Sequence, residues 1–293
     1  MNSEHKPKLG FIGLGDMGRP MVSHMLASGF ELIAYDLDAV RIAACTGAQP
    51  ADDAKQVVEQ ADIVMTSLPS SAAFVQLAEQ QLLPHARAGQ FFIEFGTTTP
   101  SEVRRLAGAF AARGAQLIDA PVSGGPRGAE SGALYVFVGG DASAVERCRF
   151  VFEMVGEPQT TTYCGPSGCG QVVKGVNQLM MGLGGAAYLE AVAFGVRAGV
   201  DPETIAQALG NQGRWRRDLA FIAEAAATQQ ADTQGVKFRE LPYFLREAQA
   251  QEFALPLTQA LYEFCDAGER VTIDDKRPAP SFWHQLMQAK SGK

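Results

Sequence analysis

Short apolar runs alternate with amphipathic segments through the first half of the chain. The segments MGRPMVSHMLASG at 17–29 and PSEVRRLAGAFAARG at 100–114 have the residue spacing of amphipathic helices. The apolar runs between such segments favour strands, and each is bounded by Gly, Pro or Asp. Alternating strands and helices predict an α/β domain built around a mostly parallel sheet. The runs are KLGFIGLG, FELIAYD, ADIVMTSLP, QFFIEFG, AQLIDAPVSG and ALYVFVGG.

The pattern changes near residue 163. Residues 167–199 contain neither a proline nor a turn cluster, which predicts one long and mostly buried helix. The later segments PETIAQALG, RDLAFIAEAAA, YFLREAQAQ and PLTQALYEFCDAG indicate further helices without strand pairs. We therefore predict an α/β domain at 1–163 and an all-helical (all-α) domain at 164–293.

Composition narrows the class of protein. The chain is 46% hydrophobic and 19% charged with a net charge of −7, so we expect no nucleic-acid partner. Five irregularly spaced cysteines indicate neither a disulfide framework nor a metal site. The N-terminal residues lack the apolar core of a signal peptide, and no uninterrupted apolar run reaches the ~18 residues of a membrane span. These features favour a soluble cytoplasmic protein without a membrane partner.

A glycine fingerprint follows the first predicted strand. Gly13, Gly15 and Gly18 have G-x-G-x-x-G spacing and open an amphipathic helix, which is the context of a dinucleotide-binding loop. The first glycine permits a tight turn, the second lets backbone approach a pyrophosphate, and the third lets helix and strand pack closely. The alternative is that these glycines only form a turn. The expected cofactor-binding residues here are Gly13, Leu14, Gly15, Asp16, Met17 and Gly18.

Asp36 bears on the choice of dinucleotide. It ends the second predicted strand, where a carboxylate hydrogen-bonds the adenosine ribose hydroxyls and repels a 2′-phosphate. The next residue is Leu37 rather than an arginine. The sequence therefore favours NAD over NADP.

Lys174 lies inside the long, otherwise apolar helix. Asn177 falls within about 60° of it on the helical wheel. A buried lysine is costly unless it is paired or performs chemistry, and burial lowers its pKa from about 10.4 towards the range useful for proton transfer. The alternative is a lysine whose stem covers apolar surface near the helix start.

DAPVSGG occupies residues 119–125, after the glycine fingerprint and before Lys174 and Asn177. Together these motifs resemble the β-hydroxyacid dehydrogenase family. The similar segments cover most of the chain, and DAPVSGG with G-x-x-x-K-x-x-N behind the glycine fingerprint is the most specific part. The resemblance implies a Rossmann domain, a long interdomain helix and a helical second domain, with the active site in the cleft between the domains. The segments are GFIGLGDMGRPM at 10–21, TSLP at 66–69, DAPVSGGPRGAESGAL at 119–134, GCGQVVKGVNQ at 168–178 and LPLTQALYEF at 255–264.

The resemblance also implies roles for single residues. Lys174 would be the catalytic acid/base, and Asn177 would position the substrate. The segment Ser123, Gly124 and Gly125 would bind a substrate carboxylate. The implied substrate is a small carboxylate with its hydroxyl on the β carbon. Residues implied to line the cofactor site are Leu68, Pro69 and Thr97.

The chain departs from the family pattern at three places. Where relatives have a lysine near the cofactor, this chain has Arg239, with Lys237 as a second candidate. Arginine keeps the charge but is not readily deprotonated, so it would clamp an anion without acting as a base. The segment GRWRR is also atypical: Arg214, Arg216 or Arg217 would reach the cleft or a neighbouring subunit, or would form a solvated helix start. The C-terminal GERVTIDDKRPAPSFW matches the family only loosely.

Three functions follow as alternatives. The first is an NAD(P)-dependent dehydrogenase that interconverts a 3-hydroxy acid and its 3-oxo acid. The second is an imine-reductase-like activity on the same fold, which Lys174 disfavours. The third is a non-catalytic dinucleotide sensor or scaffold, since the fold alone does not prove catalysis. An apolar helical second domain favours a homodimer or homotetramer.

Overall fold

The computed structural model describes residues 6–210, 213–227, 240–263, 265–266 and 269–270. Contacts divide the chain into two compact units, one ending at Lys174 and one beginning at Gly175. The long helix predicted from the sequence is present and contains this division, whereas the predicted domain boundary at 163 lies in the strand before it. The first unit carries most of the predicted site.

Nine strands of the described chain form one sheet in the first unit. Their order is β3-β2-β1-β4-β5-β6-β8-β7, and β9 pairs with β8. The strands β1 to β6 run parallel, while β8 is antiparallel to β6 and β7. The α/β prediction is therefore confirmed, with the strand order of a Rossmann fold. The strands are β1 (Leu9–Ile12), β2 (Leu32–Tyr35), β3 (Gln49–Pro50), β4 (Ile63–Thr66), β5 (Phe91–Glu94), β6 (Gln116–Asp119), β7 (Val122–Ser123), β8 (Leu134–Gly139) and β9 (Gly156–Gly165).

Helices follow most of these strands. A π-helical turn, Ala78–Leu82, continues α4. The helix α10 is the long one, and the first unit ends inside it. The helices are α1 (Gly18–Ala27), α2 (Ala39–Ala43), α3 (Ala54–Gln60), α4 (Ser71–Leu77), α5 (Leu83–His85), α6 (Pro100–Ala111), α7 (Gly125–Ser131), α8 (Ala142–Arg147), α9 (Arg149–Val155) and α10 (Cys169–Arg197).

The central strands explain the continuous apolar runs of the sequence. All four residues of β1, β4 and β5 are buried, because helices cover both faces of the sheet. Side chains alternate between the faces: Phe11 joins one core cluster and Ile12 the other. In β5, Ile93 and Phe92 divide in the same way.

The second unit is mainly helical. A buried cluster that includes Leu189, Ile222 and Leu241 joins its helices. A pair of two-residue antiparallel strands also occurs here, so the expectation of a second half without strand pairs was wrong in this detail. The elements are α11 (Pro202–Leu209), α12 (Arg214–Ala227), α13 (Leu241–Ala250), α14 (Pro256–Tyr262), β10 (Cys265–Asp266) and β11 (Glu269–Arg270).

The helix α10 is unusually apolar for its exposure. By length and composition, Cys169–Val196 would be able to cross a membrane, with a mean hydropathy of 1.5 in its most apolar window, of which 22% is buried. The sequence-based expectation that no segment would qualify was therefore incomplete. A core helix of a soluble protein meets the same criterion, so this is weak evidence for a membrane.

Candidate active site

Buried polar side chains gather at one edge of the sheet in the first unit. Thr66, Glu94 and Asp119 end β4, β5 and β6, and Asp36 directly follows β2. All four are at most 9% exposed. The order of the strands reverses between β1 and β4, and ligands of open α/β sheets bind at the carboxyl ends of strands beside such a reversal.

The glycine loop has the geometry that its sequence predicts. Gly13 has φ +97°, and a Cβ there would collide with the backbone of Ser67. A Cβ on Gly18 would collide with the carbonyl of Gly13, so helix and loop need this close approach. At Gly15 the nearest atom to an added Cβ is Nη1 of Arg41, 3.6 Å away, which leaves space beside the loop.

The start of α1 suits an anion. Its first turn has neither a side-chain cap nor an acidic residue, whereas α3 is capped by Asp53 and α4 by Ser70. The helix dipole therefore favours a phosphate at this terminus. Of the neighbouring residues, Leu14 is buried, Met17 is half-buried and Asp16 is exposed.

The Asp36 carboxylate is fixed against the glycine loop. It accepts hydrogen bonds from the backbone N–H of Leu14 (2.6 Å) and of Asp38 (2.9 Å). Nη1 of Arg41 lies 3.7 Å from Oδ2 of Asp36. Sequence reasoning considered only the next residue, Leu37, and missed Arg41, because one turn of α2 returns residue 41 to this edge.

Two further loops flank the glycine loop. Leu68 is half-buried, and its backbone carbonyl and side chain border the positions of Gly96 and Gly13, while Pro69 is exposed. Thr97 is half-buried in the segment between β5 and α6. The structure thus brings Leu68 and Thr97 to the edge predicted to bind the dinucleotide.

The SGG segment joins β7 to α7. Gly124 has φ +132° and Gly125 has φ +61°, conformations that side-chain-bearing residues rarely adopt. A Cβ on Gly125 would meet nothing within 4 Å. Gly125 is therefore required for backbone conformation rather than for packing, and open space adjoins it.

Lys174 is held at the same segment. Its side chain is 9% exposed, and its Nζ donates a hydrogen bond to the carbonyl of Val122 at 2.7 Å. Val122 directly precedes Ser123, so the Lys174 amine lies at the start of the SGG segment. Asn177 follows three residues later on α10, within the second unit, and its Nδ2 lies 3.6 Å from Sδ of Met181.

The residues present fit a nicotinamide dinucleotide. The open space at Gly15, the uncapped α1 terminus and the Asp36 carboxylate provide for a pyrophosphate and a ribose. Arg239, Lys237 and the GERVTIDDKRPAPSFW match, apart from residues 269–270, lie outside the described residues. Of the three arginines in GRWRR, only the side chain of Arg217 is described, and it is exposed.

Family models cover most of the chain. Residues 8–165 match the NAD binding domain of 6-phosphogluconate dehydrogenase, and residues 168–277 match the model described as NAD-binding of NADP-dependent 3-hydroxyisobutyrate dehydrogenase. Fold and site thus define an NAD(P)-dependent oxidoreductase. The chain belongs to the β-hydroxyacid dehydrogenase family, and it is an NAD(P)-dependent 3-hydroxyacid dehydrogenase or reductase.

Individual relatives agree with this family. 2-(Hydroxymethyl)glutarate dehydrogenase of Eubacterium barkeri is 30% identical over 97% of this chain and 97% of its own. NAD-dependent L-serine dehydrogenase of Pseudomonas aeruginosa is 36% identical over 72% of each chain. Mycobacterium tuberculosis 3-hydroxyisobutyrate dehydrogenase, solved with L-serine, superposes with a TM-score of 0.76 at 24% identity and covers 88% of this chain and 91% of its own. Solved imine reductases share the fold at only 16–20% identity.

Proposed function

We propose that the protein interconverts a small 3-hydroxy acid and its 3-oxo acid with Lys174 as the acid/base. The observation that carries this proposal is the buried Lys174 side chain, whose Nζ lies 2.7 Å from the carbonyl that precedes the SGG segment. The bound nicotinamide would accept or supply the hydride. Lys174 would stabilise negative charge that develops on the substrate oxygen and would exchange a proton with it.

The SGG segment would bind the substrate carboxylate. Gly124 and Gly125 expose backbone without side chains, and open space adjoins Gly125. The Ser123 hydroxyl and these backbone N–H groups are suitable donors for a carboxylate. Asn177, three residues after Lys174 on the same helix, would position the substrate.

The names of the relatives suggest a substrate class. L-serine, 3-hydroxyisobutyrate and 2-(hydroxymethyl)glutarate all carry a hydroxymethyl group on the carbon next to a carboxylate. A lysine placed beside a carboxylate-binding loop matches this separation of alcohol and carboxylate. We therefore propose a 2-substituted 3-hydroxypropanoate as substrate and NAD as the preferred cofactor, because Asp36 occupies the ribose position of the fold.

A panel assay tests this function. The purified protein is offered NAD or NADP with several 3-hydroxypropanoates, and reduced nicotinamide is followed by its absorbance. We expect NAD-linked oxidation that Lys174→Ala reduces on the order of 10²–10⁴-fold. Turnover by Lys174→Ala at the wild-type rate would refute the mechanism, and dinucleotide binding without any turnover would favour the sensor alternative.

Two further properties belong to this proposal. We expect a homodimer or homotetramer, since α10 and its neighbours in the second unit expose large apolar side chains such as Met180 and Phe194. We also expect a cytoplasmic location.

The imine-reductase alternative is ranked lower, because no observation besides the shared fold favours it.

A further inference from the structure

We propose that Gln171 is a positioning residue that fixes the Thr97 loop relative to Lys174. The Thr97 loop is residues 96–99, between β5 and α6. The inference rests on the proposed function, in which Lys174 is the acid/base, and on the family resemblance, which implies that Thr97 lines the cofactor site. Gln171 lies one helical turn before Lys174 on α10.

The Gln171 amide makes two hydrogen bonds to the backbone of the loop. Its Oε1 accepts from the N–H of Thr98 at 3.0 Å, and its Nε2 donates to the carbonyl of Gly96 at 2.9 Å. The side chain is 0% exposed. The two bonds bracket Thr97, so the amide fixes this residue from both sides.

The backbone that carries the Gln171 side chain is fixed as well. The backbone N–H groups of Gly168 and Gln171 donate to the buried Asp119 carboxylate at 2.8 and 3.0 Å. Asp119 ends β6, so the first turn of α10 is attached to the rigid sheet. Gln171 therefore connects the loop to the first turn of α10, which is itself attached to the sheet.

The opposite side of the loop rests on another buried carboxyl group. Glu94 contacts the hydroxyls of Thr66 and Thr98, and a Cβ on Gly96 would collide with Oε1 of Glu94. The N–H of Thr99 donates to Oγ of Ser71 at 3.1 Å. Glu94 and Ser71 hold one side of the loop, and Gln171 holds the side that faces α10. Loss of the Gln171 bonds would therefore free only the side that faces α10.

The chemistry of this contact requires an amide. One atom must accept from Thr98 and the other must donate to Gly96, and a carboxylate has acceptors only. A protonated carboxylic acid again has one donor and one acceptor. The Gln171→Glu variant should therefore lose the contact at high pH and regain it on acidification, a response that general destabilisation would not produce.

The test compares Gln171→Glu with a matched variant, Gln90→Glu. Gln90 is also buried, and its Nε2 bonds the carbonyls of Val58 and Ala61, but it precedes β5 at the other edge of the sheet. We measure kcat and KM from pH 5.5 to 9, and express each variant relative to wild type at each pH. Gln171→Glu should lose kcat by about 10²-fold at pH 9 and recover most of it near pH 6, with little change in substrate KM.

Gln90→Glu should show no such pH-dependent loss of kcat. Equal profiles of the two variants, or a loss in Gln171→Glu that acidification does not reverse, would overturn the proposal. If Gln171→Glu does not fold, Gln171→Met retains the volume without the hydrogen bonds and should show the kcat loss at every pH. If Gln171→Met has the same kcat and KM as wild type, the proposal is also overturned.

A second readout separates this inference from the proposed function. Hydrogen–deuterium exchange at the amide of Thr98 should be faster in Gln171→Met than in wild type, while Gln90→Glu leaves it unchanged. Affinity for reduced nicotinamide dinucleotide, read by its fluorescence, should fall in Gln171→Met. If wild type oxidises no 3-hydroxy acid, the proposed function fails. The positioning role of Gln171 is refuted separately, if Gln171→Met leaves both the exchange at Thr98 and the nucleotide affinity unchanged.

Discussion

In the proposed mechanism Lys174 contributes a positive charge and an exchangeable proton, and a substitution by arginine separates these two contributions. Arginine would keep the charge and a donor for the Val122 carbonyl, but it is not readily deprotonated. We expect Lys174→Arg to retain affinity for reduced dinucleotide while kcat falls on the order of 10²–10⁴-fold. Steady-state kinetics with fluorescence titration checks this. Lys55→Arg, at an exposed lysine paired with Glu59, is the control and should match wild type.

Arg41 bears on the choice between NAD and NADP. Its guanidinium lies 3.7 Å from the Asp36 carboxylate and beside the position of Gly15. A 2′-phosphate would be repelled by Asp36 but attracted by Arg41, so residual use of NADP should depend on the arginine. We expect Arg41→Ala to raise the KM for NADP about tenfold, equivalent to about 1.4 kcal/mol, with a smaller effect on NAD.

The matched control for Arg41 is Arg149→Ala. Arg149 is an exposed arginine that pairs with Glu146 on the outside of the first unit. Its removal should leave the KM values for both dinucleotides unchanged. A larger loss for NAD than for NADP in Arg41→Ala would contradict the assigned role of Arg41.

Glu94 should make stability depend on pH. Burial raises the pKa of this carboxyl from 4.5 to about 8, although hydrogen bonds from Thr66, Gly96 and Thr98 act in the opposite direction. Below pH 4.5 this carboxyl is protonated in both the folded and the unfolded chain, and its contribution to stability is fully present. Between pH 4.5 and about 8 only the unfolded chain ionises, so this contribution is lost as pH rises. Across this window the free energy of unfolding should fall by up to about 1.4 kcal/mol per pH unit from Glu94 alone.

The variant Glu94→Gln isolates this contribution. Glutamine keeps the shape and a neutral donor but does not ionise. Urea unfolding from pH 4.5 to 8.5 should therefore give a flatter profile for Glu94→Gln, with its largest advantage over wild type near pH 8. Parallel profiles for the two proteins would show that Glu94 ionises as easily in the folded chain as in the unfolded one.

At the scale of elements, α10 depends on Asp119 for its first turn. The Asp119 carboxylate accepts from the N–H groups of Gly168 and Gln171. In Asp119→Asn the amide nitrogen would face one of these donors, so one buried N–H would lose its partner. We expect a loss of about 1–3 kcal/mol in urea unfolding and faster amide exchange at residues 168–171.

The control for this cap is Asp141→Asn. Asp141 caps α8 through Ser143 and Ala144 in an exposed position. Asparagine caps helices about as well as aspartate, so this variant should unfold close to wild type and should leave exchange at residues 168–171 unchanged. Unchanged exchange in Asp119→Asn would mean that α10 keeps its first turn without this carboxylate.

The elements differ in how far the sequence determines them. The apolar runs of β1, β4 and β5 were predicted because both faces of these strands are buried. The strand β9 was missed, since GEPQTTTYCG is largely exposed and has no apolar run. Lys174 and the glycine loop have local patterns, but the contacts of Gln171, Asp119 and Arg41 depend on neighbours that only the folded sheet brings together.

At the scale of the whole molecule, one face of α10 carries exposed apolar side chains. Met180, Ala187 and Phe194 are seven residues apart and so share a helix face. Met180 is 68% exposed and Phe194 is 77% exposed. Burial of such a stripe against a second copy would remove this apolar surface from water, which is why we propose a homo-oligomer.

The oligomer prediction is tested by light scattering over a concentration series. Wild type should have two or four times the chain mass of 31.3 kDa, and Phe194→Glu should shift towards 31.3 kDa because a charge would be buried without a partner. Tyr135→Glu, at an exposed aromatic residue on β8, should keep the wild-type mass. A wild-type mass of 31.3 kDa at all concentrations would contradict the oligomer, and binding of that monomer to lipid vesicles would assign the apolar face of α10 to a membrane instead.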